Sequence, residues 1–294
     1  MKSNSMDTIA EAIPPFALSL SGPWVLLAAL LVLLYHSIAV KLVTDWAELP
    51  DFSHGFLIPF FAAFLLWDKR VQLRNTAIAP SWGGLWLVAL GLFELLLGVF
   101  GADLFLQRTS FVLLAAGLVW TLLGRAMVSR VKFVLLVLLL AIPLPTILFN
   151  QITFPLQLLA SRFASDLLPL AGVPVLREGN VIQLPAMQLE VAEACSGIRS
   201  LMSLFTVAVI YGYFLERTTW RRVALALASL PIAVAANVAR IFGTGLCVQY
   251  WDPDKAMGFF HEFSGWLMCL VSLACLYLVH RVMALVVRER RPTA

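Results

Sequence analysis

The chain has 294 residues, of which 61% are hydrophobic and 13% charged, and its formal net charge is +4. A soluble domain is about half apolar and about a quarter charged, so these proportions exclude an ordinary cytosolic enzyme, a disordered chain and a disulfide scaffold. The scattered basic excess leaves no footprint for nucleic acid, and a polytopic membrane protein remains.

A helix crosses a bilayer with about 20 mostly apolar residues. In chain order the candidate spans are Trp24–Val40, Phe52–Trp67, Trp82–Phe100, Thr109–Leu123, Val131–Phe149, Ile198–Leu215, Val223–Ile241 and Phe263–Arg281. These predict an all-α polytopic membrane protein of about eight transmembrane helices, organised as a single integral membrane domain over residues 1–294. The first run is long and starts late, so it reads as a retained anchor. With both termini in the cytoplasm, the inner segments hold 14 of the 21 lysines and arginines, the bias expected of cytoplasmic loops.

Between the fifth and sixth spans lies a long extracytoplasmic segment, Asn150–Gly197. Phe154–Ala171 puts Gln157, Ser161 and Ser165 on one helical stripe, with Arg162 and Asp166 one position on and four apart. This predicts an interfacial amphipathic helix with a weak ion pair. Val173–Val191 then carries Pro174, Gly179-Asn180 and Pro185 between short β-prone runs, the pattern of a small hairpin.

Cys195 stands in Glu193-Ala194-Cys195-Ser196-Gly197-Ile198-Arg199, at the outer mouth of the sixth span. With Ser196 as cap, the thiol sits at a helix N-terminus, where the dipole favours a thiolate. Arg199, one turn on, adds positive charge; Glu193 opposes it. The alternatives are a small buried hydrophobe, the reading given to Cys269 and Cys275, and a disulfide with Cys247. Arg240 and Asn237 share a face near the outer end of the seventh span, and an arginine near membrane depth is a functional candidate by default. His261 precedes the eighth span and His54 opens the second, both outside; His36 and His280 read as plain interfacial residues. Glu94, inside the third span, calls for an arginine partner from another span. Cys195, Arg240 and His261 come from three spans at one membrane level. A thiol, a guanidinium and an imidazole supply the nucleophile, oxyanion donor and acid/base of acyl transfer. No residue spacing typical of a metal site is present, and no cofactor or metal is expected.

The run Val191-Ala192-Glu193-Ala194-Cys195-Ser196-Gly197-Ile198-Arg199-Ser200, then Asn237-Val238-Ala239-Arg240-Ile241 and His261-Glu262, with Ser53-His54-Gly55-Phe56 and Pro143-Leu144-Pro145 upstream, resembles the exosortase/archaeosortase family. Among subtypes it is most similar to the compact bacterial exosortases, of the exosortase B type, because no soluble domain follows the last span. The resemblance implies a cysteine protease or transpeptidase of the bacterial inner membrane, with its active site facing the periplasm. It implies Cys195 as nucleophile, with Arg240 and His261 as its catalytic partners; Arg199, Asn237, His54 and Ser196 are supporting candidates. The implied partners are membrane lipid and secreted proteins with a C-terminal Pro-Glu-Pro motif, transmembrane helix and basic tail, linked to exopolysaccharide production. The rival expectations are a transporter, with Glu94, Arg240 and His54 along a polar path, and a non-catalytic subunit of an exopolysaccharide exporter.

Overall fold

The computed structural model describes residues 22–191, 197–251 and 259–286, with the side chains of 197–198 and 259–262 outside the description. The chain forms two compact units. Unit 1 comprises residues 1–48 and 55–143; unit 2 comprises residues 49–54 and 144–294.

Unit 1 is helical: α1 (Gly22–Glu48), α2 (Leu57–Asp68), the short α3 (Arg70–Arg74), α4 (Gly84–Phe100), α5 (Leu104–Leu123) and α6 (Arg125–Leu139). Helices α4 and α5 form an antiparallel hairpin closed along a glycine seam. A Cβ at Gly91 would stand 2.9 Å from the Leu114 nitrogen, and one at Gly98 would stand 2.7 Å from the Gln107 nitrogen. Small residues let helix backbones approach closely where lipid provides no hydrophobic drive. Asp103 caps α5, its carboxylate accepting from the Leu106 N–H at 2.9 Å. Polar side chains tie α1 to α5. Arg108 pairs with Asp45, which also takes Lys41 at 2.9 Å, and the Tyr35 and Ser110 hydroxyls are 2.9 Å apart. The expected arginine partner of Glu94 is not found among the described residues; its carboxylate accepts from the Thr109 hydroxyl at 2.6 Å. Arg108 is committed to Asp45, and Thr109 is the donor that faces Glu94 on the neighbouring helix.

Unit 2 contains α7 (Thr146–Leu167), strands β1 (Leu176–Glu178), β2 (Val181–Gln183) and β3 (Gln188–Glu190), then α8 (Gly197–Leu215), α9 (Thr219–Tyr250) and α10 (Phe259–Val286). The expected hairpin is present and gains a third strand. β1 pairs antiparallel with β2, Leu176 opposite Gln183, and β2 with β3, Val181 opposite Glu190. Gly179 takes φ +65° in the β1–β2 turn, a conformation glycine adopts without steric cost. One sheet face is buried: Ile182 and Leu189, both fully buried, join Val173 and Val191 in a core with Ala160, Ala164 and Leu168 beside α7 and Val238, Ile241 and Val248 of α9.

Four helical segments are long and apolar enough to cross a membrane: α1, α5, α9 and Phe263–Val286 of α10; α4 and Arg199–Leu215 of α8 are shorter apolar helices. The chain is thus a multi-pass membrane protein. Three expected elements differ from the structure. The run Val131–Phe149 is not one helix: α6 ends at Leu139 and α7 begins at Thr146, because Pro143 and Pro145 remove amide donors and push their preceding residues out of the helical region. The second span begins as a 3-10 turn, Pro50–Phe56, before α2. Helix α9 does not stop at Ile241 but runs to Tyr250. Its extension is held by the sheet core and by the Tyr250 hydroxyl donating to the Ala171 carbonyl at 2.8 Å.

The amphipathic helix is found, longer and with its faces inverted. Thr153, Ala160, Ser161, Ala164 and Ser165 are buried, whereas Phe163 and Leu167 are exposed. Small and hydroxyl side chains on the inward face let the neighbouring backbone approach closely. Ser161 donates to the Leu158 and Gly179 carbonyls, the latter at 3.1 Å, and so fastens α7 to the sheet turn. Arg162 and Asp166 are both exposed, and no ion pair joins them among the described residues.

Candidate active site

Every candidate catalytic or supporting residue falls within unit 2, whereas Glu94 of the transporter reading lies in unit 1. Cys195 and Ser196 lie outside the described residues, between Val191, buried in the sheet core, and Gly197, where α8 starts. The helix therefore opens one residue after the expected cap. Cys247, on α9, is a free thiol, so the alternative disulfide with Cys195 is not made. Cys269, read as a buried hydrophobe, is exposed on α10, while Cys275 is half-buried.

Arg240 is not at the end of its helix, because α9 continues to Tyr250. Its side chain is half-buried and crosses to α10. The guanidinium Nε donates to the Ser264 hydroxyl at 3.2 Å, and Nη2 would stand 3.6 Å from a Cβ at Gly265. The guanidinium therefore lies at van der Waals distance from the α10 surface at Gly265. His261 is in the first turn of α10; its side chain lies outside the described residues. Residues three and four apart share a helix face, so His261, Ser264 and Gly265 form one stripe, and Arg240 rests on that stripe a single turn from His261. Neither Ser264 nor Gly265 was singled out from the sequence. Their positions three and four residues beyond His261 were the available signal.

Asn237, one turn before Arg240, is buried and helps line a cavity of about 20 Å³ with Thr153, Gln157 and Leu201, room for a single water molecule. Arg199, expected to bias the thiol, has an ion-pair partner: its Nε donates to Asp51 Oδ1 at 3.3 Å. The pair is half-exposed and weak in itself. It nevertheless joins the first turn of α8 to the segment Leu49–His54, which a second contact holds through Phe52 against Phe149 of α7, ring centroids 5.7 Å apart. His54 is buried on that segment, its ring tilted against Phe52. Gly55, next in the chain, has no room for a side chain, since a Cβ there would fall 2.3 Å from Trp46 Nε1. Asp51 was not foreseen: nothing local in the sequence pairs it with a residue 148 positions away.

The other end of the same helices corrects the reading of His280 as a plain interfacial histidine. Its Nδ1 is 2.7 Å from the Tyr211 hydroxyl and its Nε2 3.2 Å from Glu216. Glu216 is buried and also takes Arg221 at 3.3 Å. Among the described residues no group of three His, Cys, Asp or Glu side chains is arranged to hold a metal ion.

No curated protein and no solved structure matches the chain. The sequence model of the family described as transmembrane exosortase matches residues 46–278. That stretch runs from the end of α1 through α2–α9 and across most of α10, and includes the Cys195 motif, Arg240 and His261. The chain belongs to the transmembrane exosortase family.

Proposed function

We propose that this protein is a membrane-embedded cysteine protease or transpeptidase that cleaves the C-terminal Pro-Glu-Pro-type sorting signal of secreted proteins at the outer face of the bacterial inner membrane. In this reading the chain spans the membrane eight times with both termini in the cytoplasm. Cys195 attacks the scissile carbonyl, Arg240 stabilises the oxyanion, and His261 protonates the leaving amine and then activates the resolving nucleophile. That nucleophile is water for proteolysis or an acceptor amine for transpeptidation.

The observation that best supports the reading is the crossing of Arg240 onto α10. A side chain from one helix rests on Ser264 and Gly265 of another, a turn from His261. That brings a planar, permanently charged donor onto α10 one turn along from the backbone position of His261. Further support comes from Val191, whose burial against Val238 and Ile241 ties the approach to the cysteine motif to the α9 segment that bears Arg240.

The test is cleavage of a signal-bearing reporter in membranes. Cys195→Ala and Cys195→Ser are expected to abolish processing at normal protein abundance, while Cys247→Ala processes normally. Retained cleavage by Cys195→Ser would remove the nucleophile assignment. Orientation is tested on intact cells. A membrane-impermeant thiol reagent should label an engineered cysteine in Val173–Gln188 and spare one in Arg217–Arg222; the reverse pattern would put the site on the cytoplasmic face.

A further inference from the structure

Helices α8, α9 and α10, which carry Arg199, Arg240 and His261, are joined at the ends away from those residues. Tyr211 is on α8, Glu216 is in the α8–α9 link, Arg221 is in the first turn of α9, and His280 is near the end of α10. The Tyr211 hydroxyl meets His280 Nδ1 at 2.7 Å, and His280 Nε2 meets one Glu216 oxygen at 3.2 Å. The other Glu216 oxygen accepts from Arg221 Nη1 at 3.3 Å. Arg222 closes the corner, its Nε donating to the Glu216 carbonyl at 2.7 Å and its guanidinium stacking 4.8 Å above the Tyr213 ring. The side chains of Glu216, Arg221 and His280 are 5%, 9% and 13% exposed. An imidazole protonated at Nε2 satisfies both neighbours, donating to Glu216 and accepting from Tyr211. A buried ion pair of this kind is weak evidence for stability, and fixing geometry is the role open to it.

The spacing gives this network its meaning. Arg221 precedes Arg240 by 19 residues on α9, and His280 follows His261 by 19 residues on α10. At 1.5 Å per residue both intervals are about 28 Å. The two helices run antiparallel, so a tie at one level sets the register at the other.

We infer that the Tyr211–His280–Glu216–Arg221 network is a positioning device, which fixes the axial register and rotation of α8, α9 and α10 so that the groups at their far ends meet. None of the four residues is near the reacting atoms, and each acts through the helix it holds. The inference rests on the Cys195–Arg240–His261 reading for its consequence in catalysis, but not for its consequence in helix geometry, and the two are measured apart.

Geometry is read in a cysteine-free background with spin labels at Ala239→Cys on α9 and Phe263→Cys on α10, both exposed positions, by pulsed electron paramagnetic resonance. Catalysis is read as kcat and KM for the signal-bearing reporter in the otherwise native chain. Glu216→Gln and His280→Ala are expected to shift or broaden the 239–263 distance and to lower kcat about a hundredfold, the cost of a misplacement near 1 Å, with KM unchanged. His280→Gln, which keeps a donor and an acceptor, is expected to recover most of both. Should Glu216→Gln fail to accumulate, Tyr211→Phe, which removes one oxygen, carries the same comparison with a smaller effect. A 239–263 distance that stays at its wild-type value in these variants overturns the inference, whether or not kcat falls. If instead the distance shifts while Cys195→Ala proves active, the positioning stands and the cysteine reading falls.

Discussion

In unit 1 charged and polar side chains meet one another, Arg108 on Asp45, Asp45 on Lys41, Tyr35 on Ser110 and Glu94 on Thr109, with Arg108 Nε and Glu94 Oε2 left buried without a hydrogen-bond partner among the described residues. Unit 2 does the same at one end of its helices, where Glu216 engages Arg221 and His280. At the other end Arg240 crosses from α9 to α10, where its Nε donates to the Ser264 hydroxyl. The comparison teaches that burial of charge in a membrane protein does not by itself mark a site. An arginine met by a carboxylate in a packed helix pair is explained by structure. For Arg240, which crosses to the helix that bears His261, the proposed reading places the effect of substitution on rate rather than on folding.

That contrast predicts effects of different kinds in the two units. The largest belong to unit 2 and fall on rate. Arg240→Lys keeps the charge but loses the planar fork, and its cleavage rate is expected to fall about a hundred- to a thousandfold, as for loss of an oxyanion donor. His261→Ala should lose about a hundred- to ten-thousandfold, both at matched membrane abundance. Near-native activity of Arg240→Lys would make Arg240 another structural charge, like Arg108. In unit 1 the expected effect is on stability. Asp45→Asn leaves Arg108 buried beside a neutral amide, and breaking such a pair costs about 3–5 kcal/mol. Thermal unfolding of the purified protein should show that loss, while kcat per folded molecule is unchanged; a selective loss of kcat would bring unit 1 into the chemistry. The smallest effect is expected at the tie between α8 and the Leu49–His54 segment. Arg199→Lys preserves a half-exposed ion pair with Asp51 worth at most about 1 kcal/mol, so cleavage should change by less than about fivefold. A dead Arg199→Lys beside an active Arg240→Lys would exchange the roles of the two arginines.

Periodicity and hydropathy located the helices well where one apolar run is one helix, as in α4, α5 and α8. They failed where a tertiary partner overrode local polarity. The sequence around Gly243–Tyr250 reads as a span that has ended, yet α9 continues because Val248 and Tyr250 have the sheet and Ala171 to pack against. The stripe of Gln157, Ser161 and Ser165 reads as a water-facing surface, yet Ser161 and Ser165 are buried, because the sheet turn and neighbouring helices pack against that face.

What the sequence determined by itself is not the break at Pro143-Leu144-Pro145, which reads as part of one span, but the class of protein, the turn at Gly179, and the motif around Cys195 with Arg240 and His261 in order along the chain. These depend on composition, on backbone chemistry local to a few residues, or on a short pattern. Only the tertiary structure decided which charge meets which. That Asp51 takes Arg199, that Glu94 takes Thr109, and that His280 bridges Tyr211 and Glu216 follow from helix register and rotation. Those are set by packing contacts between residues up to 148 positions apart, and no local pattern in the chain encodes such a pairing.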